Sequence, residues 1–198
     1  MELRKDLKML INSRFSWLNQ AEIIQEKKFA RGGTILSPDM EAGTLAFLAE
    51  GTAFLESELP DGHRRLLDYY RSGDILMRDV IPGLSEENIR ISAKTGCLIL
   101  FFREKPLSPL PSETFLQQQL RTTSHIYIMA QPTIRQKLMA YFRFLQNLHG
   151  GRSLISLPIS LTDLADYLAV DRSAMMRELA ALKSEELITT HGKLLLLT

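Results

Sequence analysis

The stretch ADYLAVDRSAMMRELAALKSEELI, Ala165 to Ile188, decides how this chain is read. Apolar residues recur at helical spacing on both sides of a short break, Ala169-Val170-Asp171. Upstream, Ser160 stands at a helix start with Asp163 three residues on, which suits the positive end of a helix. The spacing predicts a first helix over about Leu161 to Leu168 that buries Leu164 and Leu168, with the small Ala165 at a close crossing. Val170 is expected to plug the turn, and Asp171 to cap a second helix. At 100° per residue, Arg172, Ser173, Met176, Arg177, Ala180 and Lys183 share an arc of about 140° on that second helix. Met175 and Leu182 fall on the other side, with Leu179 at its edge. Leu187 and Ile188 are expected to open a strand, His191-Gly192 to turn it and LLLL to return it. The pattern is helix–turn–helix followed by a two-stranded wing.

Such a hairpin predicts contact with a duplex. A recognition helix meets base edges with its N-terminal residues, and Arg pairs bidentately with guanine in the major groove. Arg172, Ser173, Met176 and Arg177 are therefore the candidate base-reading residues, Met176 as an apolar partner for a thymine methyl. Ser160, Thr162 and Lys193 are candidate phosphate contacts, which position without specifying. An ordinary solvated amphipathic helix would show the arc alone. Here the caps, the short turn, the crossing alanine and the wing agree.

The 198 residues suffice for one large domain or two small ones. With 24 basic and 23 acidic side chains the net charge is +1, so attraction to nucleic acid must come from local placement. One cysteine, Cys97, permits no internal disulfide, and cytoplasmic residence is the natural reading. No signal-peptide core and no run of the ~20 apolar residues a membrane span needs is present. Four scattered histidines and one cysteine form no metal-ligand spacing, so no metal or cofactor is expected.

Along the chain, Glu2 to Gln25 reads as one or two helices, with Leu3, Leu7, Leu10 and Ile11 at helical spacing. Short Phe-, Tyr-, Leu- and Ile-rich segments then follow to about Glu104, punctuated by glycines, and predict an antiparallel roll or barrel. KPLSPLPSE reads as a connector, and Ser112 as a cap for a helix to Gln131. Pro132 is expected in the first turn of a further helix, which His149-Gly150-Gly151 ends.

The sequence resembles the Crp/Fnr family of bacterial transcription regulators. DLADYLAVDRSAMMRELAALKSEELI looks like that family's winged helix–turn–helix, with Arg172 and Arg177 on its usual recognition-helix arginines. Gly33, Gly51 and Gly73 match turns of its cyclic-nucleotide-binding-like β-roll, and SAKTGCLILFF resembles the closing strands. The resemblance implies an α+β fold: an N-terminal antiparallel, jelly-roll-like β-roll over 1–111, a long dimerisation helix over 112–131, and a C-terminal winged helix–turn–helix over 132–198. It implies a homodimer on a two-fold-related DNA site, governed by a signal received in the roll. Its partners are then double-stranded DNA, a second copy of the chain, a small-molecule effector and, as a further candidate, RNA polymerase.

Several positions depart from the family pattern. Ser173 stands where better-known members often carry Glu, so the half-site read should differ. Ala169 stands where their turn often has Gly; either a left-handed alanine costs ~1 kcal/mol there or the turn is shaped differently. In nucleotide-binding members an Arg holds the cyclic phosphate; here Glu87 falls at that position beside Asn88, and a carboxylate repels a phosphate. Cyclic AMP and cyclic GMP are therefore not the expected effectors. Arg78 and Arg90 could substitute only on a different loop path, and the resemblance adds Arg121 and Tyr127 as candidate effector lining. Cys97 alone cannot hold an iron–sulfur cluster, and lone histidines such as His63 and His125 are more often surface or core residues than haem ligands. Two other readings compete: a constitutive DNA-binding dimer whose roll senses nothing, and a cupin-type metal enzyme. The second needs clustered ligands, and His63 is the sole histidine in the roll, so no enzymatic activity is expected.

Overall fold

A computed structural model describes residues 22–36, 44–76, 89–103, 112–192 and 194–197. The chain divides into two compact units, Met1–Leu116 and Gln117–Thr198.

The first unit is built of antiparallel strands: β1 (Glu22–Phe29), β2 (Thr34–Leu36), β3 (Thr44–Glu50), β4 (Thr52–Glu58), β5 (Arg64–Arg71), β6 (Ile75–Leu76), β7 (Ile89–Ala93) and β8 (Cys97–Arg103). They form two four-stranded sheets, ordered β1-β8-β3-β6 and β2-β7-β4-β5. Between the sheets lies a core that includes Leu48, Leu55, Tyr70, Ile91, Ile99 and Phe101. Successive strand residues point to opposite faces, so Leu98, Leu100 and Phe102 of β8 face away from that core, yet they too are buried. That is why CLILFF reads as an unbroken apolar run: a strand covered on both faces has no polar alternation to show.

Two of the corners at which the chain changes sheet touch each other. Gly51 joins β3 to β4 with φ +103°, and the 94–96 turn joins β7 to β8. A Cβ on Gly51 would lie 2.4 Å from the Gly96 carbonyl oxygen and 2.9 Å from Cys97 Sγ, so only glycine fits. The corners are stitched by Thr52 N–H donating to Thr95 Oγ1 (2.9 Å) and by Lys94 N–H donating to the Thr52 carbonyl (2.9 Å). Cys97 Sγ donates to that carbonyl at 3.2 Å, and burial pushes the thiol pKa up. The lone cysteine is thus a packed, protonated structural group.

Helix α1 (Ser112–Met129) spans the boundary, and the second unit continues with α2 (Ile134–Leu148), β9 (Leu154–Ser156), α3 (Leu161–Tyr167), α4 (Arg172–Ser184), β10 (Ile188–His191) and β11 (Leu194–Leu197). The three strands form one antiparallel sheet, ordered β10-β11-β9. α2 is amphipathic and buries Leu138, Tyr141, Phe142 and Leu145.

Two sequence expectations need correction. Glu22 to Gln25 are strand, not helix, because β1 pairs with β8, Glu22 opposite Arg103. The ladder supplies hydrogen bonds that a frayed helix end would lack; residues 2–21 of that expected helix lie outside the described residues. Pro132 also precedes its helix instead of opening it. Thr133 is the cap, its Oγ1 accepting from Gln136 N–H at 3.2 Å. The hydroxyl satisfies an orphan donor that a proline at the cap could not.

Candidate nucleic-acid interface

The helix–turn–helix is fixed first by its own caps. Ser160 Oγ accepts from Asp163 N–H at 3.2 Å and donates to the Asp163 carboxylate at 2.6 Å, starting α3. Asp171 Oδ1 accepts from Ala174 N–H at 2.7 Å, starting α4. Both oxygens satisfy backbone donors of a first helical turn.

The ends are equally specific. After α3, Val170 N–H donates to the Ala165 carbonyl at 3.0 Å; after α4, Leu187 N–H donates to Leu182 at 3.0 Å; after α2, Gly151 N–H donates to Gln146 at 2.9 Å. Each is the six-to-one bond that closes a helix around one left-handed residue. After α2 that residue is Gly150 (φ +69°), but after α3 it is Ala169 (φ +49°) and after α4 it is Glu186 (φ +58°). The turn between α3 and α4 therefore keeps the left-handed shape and carries the alanine strain. Ala169→Gly should relieve ~1–2 kcal/mol of that strain against ~0.4–1 kcal/mol of added unfolded-state freedom. A net stabilisation of about 0.5–1 kcal/mol is expected in urea unfolding; a destabilised variant would show the alanine to be unstrained.

Packing then divides α4 into two faces. Met175, Leu179 and Leu182 are buried, while α3 buries Leu164, Ala165 and Tyr167 beneath them. Arg172, Ser173, Met176, Arg177, Ala180 and Lys183 are all exposed, so every member of the predicted arc reaches the surface. Met176, at 40% exposure, is an apolar side chain left in water beside the two arginines. Ser160 and Thr162 are exposed at the start of α3, although the Ser160 hydroxyl already serves the cap. Lys193 lies outside the described residues, as do Arg78, Glu87 and Asn88. The wing pairs β10 with β11, Ile188 opposite Leu197; Leu195 faces inward, while Leu154, Leu194 and Leu196 are exposed.

Arg90, on β7, is ion-paired with Glu56 (3.7 Å) and Glu58 (3.9 Å) of β4. Arg121 and Tyr127 lie on α1, Arg121 half-buried and Tyr127 63% exposed. Tyr127 borders an open groove of about 520 Å³ between α1 and α2, lined also by Ile128, Arg135, Met139, Arg143 and Phe144. His63 lies exposed in the β4–β5 hairpin, and the ring of His125 stacks on Tyr167 at 4.2 Å, 10° from parallel.

Sequence reasoning missed the cations that hold the hairpin from α2. Lys137 Nζ donates to the Leu168 carbonyl at 3.0 Å, where a positive charge suits the negative end of α3. Arg135 donates to Glu178 at 3.1 Å and to both carboxylate oxygens of Glu185, at 2.8 and 2.6 Å. These hydrogen bonds hold the Arg135 pKa above its ordinary value and that of Glu185 below the usual carboxylate range. No local pattern announces pairs 43 and 50 residues apart.

A capped, tightly turned helix pair beside a two-stranded wing, which β9 extends to a three-stranded sheet, with a basic arc on its second helix, defines a winged helix–turn–helix DNA-binding module. Residues 136–198 match the model of the Crp-like helix–turn–helix domain. The chain is 22% identical to the transcriptional activator protein FnrL of Cereibacter sphaeroides, over 84% of this chain and 73% of that one. It is 25% identical to the transcriptional activatory protein AadR of Rhodopseudomonas palustris, over 84% and 74%. Its fold is similar to that of a CooA variant from Carboxydothermus hydrogenoformans, with TM-score 0.70, 14% identity and coverage of 100% and 93%. Residues 136–198 are thus a Crp-like helix–turn–helix domain, and the chain is similar over most of its length to transcriptional activators. No helix among the described residues is long and apolar enough to cross a membrane.

Proposed function

We propose that the protein works as a homodimer in the cytoplasm, reading a two-fold-related duplex site with one α4 from each copy, and that its roll receives a small molecule other than cyclic AMP. One observation carries the DNA-reading part: Arg172, Ser173, Met176 and Arg177 are exposed together on a helix whose opposite face is locked into the core. In this reading Arg172 and Arg177 pair with guanines and Met176 meets a thymine methyl. Ser160, Thr162 and Lys193 lie near phosphates. The dimer is supported by α1, where Leu116, Leu120 and Tyr127 are 59%, 64% and 63% exposed in one row, four and seven residues apart. Paired α1 helices would set two recognition helices about 34 Å apart, one turn of DNA.

An effector that prefers one dimer geometry shifts the population toward it, by no more than its differential affinity. Arg121 and Tyr127, with Arg78 and Arg90, remain the candidate lining. The Arg90 ion pairs favour a role within the sheet, and they weaken the reading of Arg90 as a phosphate holder. The relatives named as activators support RNA polymerase as a further partner.

Selection from a random duplex pool tests the reading directly. Wild-type protein should enrich a site with two related halves. On that site Arg172→Ala should lose about 1–3 kcal/mol and relax preference at one base pair. Equal loss on every duplex would reduce Arg172 to a phosphate contact, and no enrichment by the wild type would remove the proposal. Added cyclic AMP should leave the affinity unchanged.

A further inference from the structure

Arg135 is the second residue of α2, and all three of its guanidinium nitrogens are engaged on the recognition helix. Nε donates to Glu178 Oε2 at 3.1 Å, Nη1 to Glu185 Oε2 at 2.8 Å and Nη2 to Glu185 Oε1 at 2.6 Å. Glu178 lies within α4 and Glu185 is its C-cap, seven residues further on and therefore on the same row. Counted from Arg172, that row lies at about 220–240° around the helix, beyond the arc of about 140° that carries the exposed arginines. From the same turn of α2, Lys137 holds the end of α3. The two cations thus grip both helices of the hairpin.

We propose that Arg135 is a positioning residue for DNA reading: its planar fork fixes the rotation and height of α4, and so the aim of Arg172 and Arg177. The core constrains this rotation less sharply than directional bonds do. Contacts of Met175, Leu179 and Leu182 are apolar and non-directional. A turn of α4 by about 20° would move a side chain at its rim by about 2 Å, enough to break a bidentate pair with a base. A fork bonded at two levels of the helix resists that turn, as a single ammonium would not. It also holds two carboxylates to one flank, leaving the arc from Arg172 to Lys183 free of acidic groups.

This inference rests on α4 reading DNA, so its test must separate the two. Affinity is measured for the pool-selected duplex and for a scrambled duplex of equal composition, across a salt series. The full-length wild type, Arg172→Ala, Arg135→Lys and Arg135→Gln are compared, with active fractions set by stoichiometric titration. Arg135→Lys keeps the charge and loses the fork. Its affinity for the scrambled duplex should stay within about twofold, while the ratio of selected to scrambled affinity falls about fivefold or more. Arg135→Gln should lose the ratio similarly without changing the salt slope by a full unit. A wild-type ratio in Arg135→Lys would overturn the proposal. So would an equal loss on both duplexes in Arg135→Gln with the slope reduced by about one, the mark of a phosphate contact. Wild-type protein that does not distinguish the duplexes would remove the DNA reading itself. A selective wild type with a non-selective Arg172→Ala and a normal Arg135→Lys would remove only the role of Arg135.

Discussion

Leu182→Ala is expected to lose about 2–5 kcal/mol of stability and, with it, most DNA binding. Leu182 is fully buried on α4, beside Met175 and Leu179, and no polar atom of its side chain could be re-solvated if the site opened. Truncation removes the transfer free energy of the lost methyl and methylene groups and leaves a cavity that close-packed neighbours fill only in part. A domain of this size has only about 5–15 kcal/mol in total, so the loss is a large share. Equilibrium urea unfolding measures it through the midpoint at constant slope. DNA affinity should fall in step with the folded fraction and recover at low temperature or with a stabilising second change such as Ala169→Gly. A loss under about 1 kcal/mol would mean that α4 is not packed as described.

The second large effect lies far from the interface. Gly51→Ala places a methyl 2.4 Å from the Gly96 carbonyl oxygen and 2.9 Å from Cys97 Sγ, at a backbone φ of +103°. Two penalties combine: a conformation that only glycine adopts freely, worth about 1–3 kcal/mol, and a steric overlap with backbone that cannot swing aside. Thr52 and Thr95 tie the two corners together, so relaxing one corner pulls on the other. A loss of about 3 kcal/mol or more is expected in urea unfolding, together with faster reaction of Cys97 with a thiol reagent as the corner opens. An unchanged midpoint would show that the corners separate easily. If the roll governs the DNA-binding state, the same variant should also alter any effector response while leaving the α4 surface untouched.

How much of this was legible in advance follows the range of the interactions. The caps at Ser160 and Asp171 and the turn at Ala169 depend on residues within five positions of one another, and the two faces of α4 on a periodicity within one helix. A single sequence displays such patterns directly. The first strand replaces the end of the expected helix: Ile23 and Ile24 favour strand locally, but the partner that fixes it, Arg103 to Phe101, lies nearly eighty residues away and gives no local signal. Pro132 misled by one position because Pro at the first turn and a Thr cap beside it are both locally acceptable.

Periodicities, caps and the basic arc are written in the local order of residues, and with them the character of the α4 surface, because they are near-neighbour properties of one chain segment. Which cation holds that surface in place, which corner demands glycine and which arginine is tied up in the sheet emerge from long-range packing alone. Arg135 meets Glu178 and Glu185, Gly51 meets Gly96, and Arg90 meets Glu56 across dozens of residues. Loop closure over such distances leaves no periodic trace in the sequence, and the pairing exists only once both sheets and the helix bundle have packed.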